Sequence, residues 1–302
     1  MSDKILKKID DPFLLKKINK LKGEASLLLL ASVKNPKLLE VQIISSQIKK
    51  DIHQYDKLIG VAKWNFKEGD RCYVKISGSG LVIIDGKAVA ELDSKHKDFR
   101  IPWDTNEITF KISEAGDFGS YRGIKQPIYC AVYSRDQTLY SLYHKIETII
   151  DFIIINQRWE FIDKIYDLLH SIPPLKVSPL SYFIYGSEVL GEDFYNSDSF
   201  MHLKDFEDEA KDEEEIDLRP TLEYLDKIWK ELAKQGNMQI EIVPLGHAHT
   251  DLAWLWPVEE TKEKIRRTFA TVLNLMETRD FTFVQSSAIY YETIKEIEPD
   301  LY

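Results

Sequence analysis

The feature that most constrains this chain is a change of apolar period near Leu58. Trp64, Phe66, Cys72, Val74 and Ile76 fall on even positions around Glu68-Gly69-Asp70. Leu81–Ile84 then runs into Asp85-Gly86, a two-residue hairpin signal. Phe99, Ile101 and Trp103 alternate, as do Ile108, Phe110 and Ile112, and Ile128–Tyr133 closes the series. A period of two sends successive side chains to opposite faces, so each segment buries only one face of a strand. Short strands at this spacing predict an antiparallel β-sandwich over residues 58–134. Such sandwiches serve as sugar-binding modules or as plain scaffolds, and the fold does not choose between them.

Elsewhere the period is helical. Leu6, Ile9, Phe13, Leu14 and Ile18 place an amphipathic helix in an N-terminal segment, 1–57. Residues 135–237 form a helical connector, with Leu139, Leu142, Tyr143, Ile146, Ile149 and Ile150 on one face. A second helix spans Arg158–His170 before Pro173-Pro174, and Leu222, Leu225, Ile228, Trp229 and Leu232 stripe a third. The acidic run Asp205–Asp217 is a solvated face or linker. From 238 to 302 the order is strand (Ile240–Leu245), helix (Ile265, Phe269, Val272, Leu273 and Met276 inward), strand (Phe281–Val284) and helix (Ile289–Glu296). That is the βαβα opening of an open α/β sheet or a barrel.

Charge and targeting narrow the partners. A net charge of −10 argues against nucleic acid and anionic membrane, which both need a basic surface, and leaves a neutral polyol acceptable. The apolar run Ser26–Val33 is preceded by the acids Asp10, Asp11 and Glu24, unlike the basic lead of a secretory signal. A cytoplasmic protein is expected. Cys72 and Cys130 are expected to be buried thiols in strands.

Chemistry concentrates at Gly246-His247-Ala248-His249-Thr250-Asp251-Leu252-Ala253-Trp254-Leu255-Trp256-Pro257, just past the predicted strand. Active-site residues of α/β folds gather at that end. His247, His249 and Asp251 alternate, so an extended backbone turns all three to one side. Imidazole and carboxylate are common zinc donors, and three with an open position make a catalytic site. The same groups could instead hydrogen-bond around a strand end. Trp254 and Trp256 are either core residues or a platform for a sugar ring.

This string, followed by Glu259-Glu260-Thr261 and Arg266-Arg267-Thr268-Phe269, resembles the start of the catalytic domain of glycoside hydrolase family 38 α-mannosidases. The resemblance is closest to the cytosolic or vacuolar and prokaryotic branch. Gln285-Ser286-Ser287-Ala288, Tyr291-Glu292, Ile294-Lys295-Glu296 and Pro299–Tyr302 continue it. Val82–Leu92, His96 and Gln126–Tyr129 resemble that branch's N-terminal domain more weakly. Thr293 and Val284 depart from the Trp and Ser often found at those positions.

The resemblance implies an irregular (β/α)7 barrel beginning at 238, an α-mannoside or mannose-containing glycan as substrate, and one zinc ion. It assigns His249 and Asp251 as zinc ligands, Trp254 as the stacking platform of the −1 sugar, and His247 as a supporting residue behind the ligands. It also implies retaining hydrolysis through a nucleophilic carboxylate and a second acid/base carboxyl. In the family those two groups and the remaining His ligand come from later barrel strands. No catalytic carboxylate is therefore expected in residues 1–302, which should be inactive without the C-terminal part of the enzyme. Mannosylglycerate-type hydrolysis, or a non-catalytic carbohydrate-binding or assembly role, are the alternatives. A zinc peptidase would normally show H-E-x-x-H, and Glu259 and Glu260 stand eight and nine residues past Asp251.

Overall fold

The computed structural model describes residues 9–47, 56–64, 72–77, 80–92, 98–102, 105–114, 127–190, 216–234, 243–252, 258–277 and 279–302. The chain divides into two compact units, Met1–Lys37 with Tyr133–Ile240, and Leu38–Val132 with Glu241–Tyr302.

The first unit is helical. Helix α1 (Pro12–Ala31) starts where Asp11 accepts the N–H groups of Phe13 and Leu14, with Pro12 fixing the first turn. Ile18, Leu21, Ala25, Leu28 and Leu29 form its buried stripe, whereas Phe13 is 84% exposed. The apolar run from Ser26 is the buried end of this helix. Helix α2 (Gln137–Ile155) is capped by Asp136 in the same way and buries all six residues expected of it. A 3-10 turn (Trp159–Phe161) leads into α3 (Ile162–His170). Helices α4 (Leu180–Leu190) and α5 (Arg219–Ala233) follow. Helix α1 packs on α2, α3 and α4, and α5 packs on α2 and α3. Leu225, Ile228 and Leu232 of α5 are buried. Trp229 is not: it lies at the rim with Phe152 against its ring, beside a groove of about 310 Å³ lined also by His144, Lys145 and Asp226.

Two sheets follow from the alternating segments. Strands β1 (Val33–Glu40), β2 (Gln42–Gln47), β3 (Asp56–Lys63), β4 (Cys72–Ile76), β5 (Gly80–Ile84), β6 (Lys87–Leu92), β7 (Phe99–Arg100), β8 (Glu107–Glu114) and β9 (Tyr129–Arg135) are arranged β1-β9-β4-β7 and β2-β3-β8-β5-β6. Strands β5 and β6 join through Asp85 and Gly86, both at positive φ (51° and 80°), which suits the right-handed twist of a hairpin. Val74, Ile76, Phe99, Cys130 and Val132 from one sheet share a core with Leu58, Val82, Leu92, Ile108, Phe110 and Ile112 from the other. Burial pushes the Cys130 thiol up to about 12. Cys72 opens β4, and its side chain lies outside the described residues, as do Phe66, His96 and Trp103.

One expectation needs correction. The N-terminal segment is not helical throughout: β1 and β2 occupy 33–47. Asn35, at φ 49°, and Pro36 lie within β1, which is the edge of its sheet, where proline is tolerated.

The second unit ends in a βαβα segment of β10 (Leu245–Gly246), α6 (Val258–Met276), β11 (Thr282–Phe283) and α7 (Ala288–Ile297). Strands β10 and β11 pair in parallel, Leu245 with Thr282 and Gly246 with Phe283. Helix α6 lies on β6. Arg267 meets Glu91 at 2.6 Å with both side chains under a fifth exposed, Thr271 Oγ1 accepts the Glu91 N–H at 3.1 Å, and Ala270 packs with Leu81 and Ala88. Ile265, Tyr290 and Ile294 join α6 to α7. The stripe expected on α6 is thus only partly buried, with Leu273 and Met276 exposed. Val243, Leu245, Val284 and Ile289 are also exposed around the two short strands.

Candidate functional site

Strand β10 is two residues long, yet the chain beyond it keeps an ordered path because its carbonyls are met at two-residue intervals. Gly246 O accepts the Val284 N–H at 2.8 Å. Ala248 O accepts from Gln285 Nε2 at 2.9 Å, and Thr250 O accepts from the Tyr290 hydroxyl. Thr261 Oγ1 lies 2.5 Å from Leu252 O and 3.3 Å from Asp251 O. Carbonyls repeating every second residue toward one side are what an extended chain presents, so the odd-numbered side chains share a face.

On that face the residues part company. His247 Nδ1 stands 2.9 Å from Val284 O. A carbonyl can only accept, so Nδ1 carries the proton and the ring is held against β11. His249 and Asp251 turn to each other instead, with Nε2 and Oδ1 3.4 Å apart. Their side chains are 82% and 41% exposed, so this pair opens to solvent. Gly246 is where β10 and β11 come closest: a Cβ there would meet Thr282 O at 3.3 Å and the Phe283 ring at 3.4 Å.

Trp254 and Trp256 lie outside the described residues, as do the side chains of Glu259 and Glu260. Among the described residues no group of three or more His, Cys, Asp or Glu side chains gathers as a metal-binding cluster. His247, His249 and Asp251 therefore do not form the three-donor set that alternation alone allowed. The departures at Val284 and Thr293 leave these contacts alone, since Val284 acts through its backbone and Thr293 Oγ1 bonds Ile289 O in its own helix. Gln285 and Thr261 entered the sequence reading only as pieces of a motif, and Tyr290 only as part of a predicted helix. Their contacts with the string depend on how β11 and both helices fold back, which no local signal carries.

Comparison with known proteins bears on the same segment. Residues 239–302 match the family model described as Glycosyl hydrolases family 38 N-terminal domain. Alpha-mannosidase G of Dictyostelium discoideum is 43% identical over 76 residues, 24% of this chain and 7% of that protein. Alpha-mannosidase 2C1 of Mus musculus is 43% identical over 68 residues, 22% of this chain and 6% of its own. Alpha-mannosidase of Saccharomyces cerevisiae is 32% identical over 85 residues, 26% and 8% respectively. The chain thus spans less than a tenth of each relative's length. No helix among the described residues is long and apolar enough to cross a membrane. Residues 239–302 are thus similar to the N-terminal domain of family 38 glycosyl hydrolases, and the relatives that share this stretch are α-mannosidases.

Proposed function

We propose that the protein to which these residues belong is a zinc-dependent α-mannosidase that cleaves terminal α-D-mannosides with retention, and that this chain supplies part of the zinc site. The observation that carries the reading is the open pair His249 and Asp251, 3.4 Å apart in the segment that matches the family. Zinc–nitrogen and zinc–oxygen bonds of about 2.0–2.2 Å at a tetrahedral angle of about 109° hold two donors roughly 3.4 Å apart. The pair fits half of such a shell. Bound there, zinc would act as a Lewis acid on sugar hydroxyls.

The chain's own residues do the rest of the work assigned here. His249 and Asp251 present one nitrogen and one carboxylate oxygen to solvent. His247, bonded to Val284 O, holds the strand behind them. Trp254, three residues past Asp251, is the proposed platform for the −1 sugar. The fold proposed around this site is a β-sandwich whose strands begin at Val33 and close at Arg135, a helical connector up to 237, and the first strands of an irregular (β/α)7 barrel from 238. A retaining glycosidase also needs a nucleophile and an acid/base about 5–5.5 Å apart. Neither role is assigned here to a described residue. The 302-residue chain alone is therefore expected to bind zinc without turning over an aryl α-mannoside, and to gain turnover with the C-terminal part of the enzyme.

The test is zinc titration of the 302-residue chain, read at the ring signals of its 7 histidines by NMR. The His249 signal should move, and should move less at the same zinc concentration in Asp251→Ala. A His249 ring indifferent to zinc would overturn the reading.

A further inference from the structure

We infer that Gln285 and Tyr290, with Thr261 beside them, are positioning residues that set the spacing of His249 and Asp251 for the metal. The inference rests on the zinc reading above and adds what makes the pair converge.

The ladder between β10 and β11 ends at the bond from Val284 N–H to Gly246 O. Past that point the second chain turns away into α7, whose N-cap is Ser287. The carbonyls of Ala248 and Thr250 then accept from side chains, one on each side of His249. Two residues therefore stand in for a continuing strand. The orientation of the Gln285 amide follows from its partners: Oε1 accepts the Ser287 N–H at 3.3 Å, and Nε2 is left to donate to Ala248 O. Gln285 is 9% exposed and Tyr290 5%, so both donors act from inside the protein while the pair they serve faces water. Tyr290 is also gripped by Ile265 and Ile294, which ties the carbonyl of Thr250 to the α6–α7 core. Thr261, 1% exposed, closes the series on the carbonyls at Asp251 and Leu252. With both flanking carbonyls fixed, the Cβ atoms at 249 and 251 keep one direction and one separation. Freed, the stretch could rotate by one residue and turn one donor away.

The experiment uses the same zinc titration on three variants of the 302-residue chain. Tyr290→Phe removes only the hydroxyl. Gln285→Glu keeps the shape and sets a carboxylate against the Ala248 carbonyl. Both should need about tenfold more zinc to move the His249 ring, the scale of outer partners around metal ligands. Ile112→Val thins the two-sheet core of the same unit (Ile112 is 4% exposed) without touching either carbonyl or Tyr290, and should bind zinc as the parent does. Urea unfolding of each variant reports its stability alongside. Parent-like zinc binding by Tyr290→Phe and Gln285→Glu, with Asp251→Ala still weakening it, would overturn this inference and leave the zinc reading intact. An equal loss in Ile112→Val would also overturn it, because general loosening would then explain the effect. A parent His249 ring that ignores zinc removes the zinc reading instead.

Discussion

At Cys130 the surrounding apolar side chains withhold the water a thiolate needs, and the thiol rises to about 12. In a Cys72→Ser background Cys130 should not react with a thiol reagent at pH 8 in the native protein, and should react within minutes in strong denaturant. Rapid native labelling would mean that the two sheets open there. The histidines of the motif show burial and partner deciding chemistry differently. Alternation in the sequence put His247, His249 and Asp251 on one face and stopped there. What separates them is Val284 O, a backbone atom brought alongside by the parallel register of β11. That register is a long-range fact, and no residue near His247 encodes it. The pair at His249 and Asp251 was legible only in that alternation puts adjacent odd positions on one face; the side chains that meet the flanking carbonyls were not.

Among the elements, those with a strict period were the readable ones. All six apolar residues predicted for α2 are buried, and β8 buries Ile108, Phe110 and Ile112. The signal failed where an element sits at a boundary. The edge strand β1 carries Asn35 and Pro36, and α6 meets a sheet along Ala270 and Arg267 where an apolar stripe through Leu273 and Met276 was expected. A small neighbour allows close approach of helix to strand, so an alanine can outrank a leucine as a contact residue. The join between α3 and α5 gives a prediction in pH. The hydrogen bond from Lys164 to Glu231, 2.5 Å long, holds that carboxyl below its ordinary range, with the Lys164 charge second. A lowered folded pKa stabilises the native state above the unfolded carboxylate range and ceases to do so as pH falls through the folded value. Both groups are well exposed, so the effect is small. Glu231→Gln should unfold at slightly lower urea than the parent at pH 7, and the two midpoints should merge in acid.

For the molecule as a whole, the packing of α6 on β6 joins the two-sheet core to the segment bearing the site within one compact unit. Arg267 and Glu91 are 11% and 18% exposed, so removing one leaves the other charged and largely dry. Arg267→Met should cost about 3 kcal/mol, and Glu91→Gln added to it should recover much of that loss, measured by urea unfolding. If Arg267→Met costs nothing, α6 is held by its apolar contacts alone.

Val243 is 71% exposed, Leu245 59%, Ile289 50% and Val284 45%, all beside a ladder only two rungs long. Aliphatic groups standing in water beside so short a sheet make copies of a polypeptide stick to each other. Light scattering from purified material should climb with concentration, and Leu245→Thr should flatten the curve. Four side chains around a short ladder, more than a net charge of −10, would then set how concentrated a solution of this polypeptide can be kept clear.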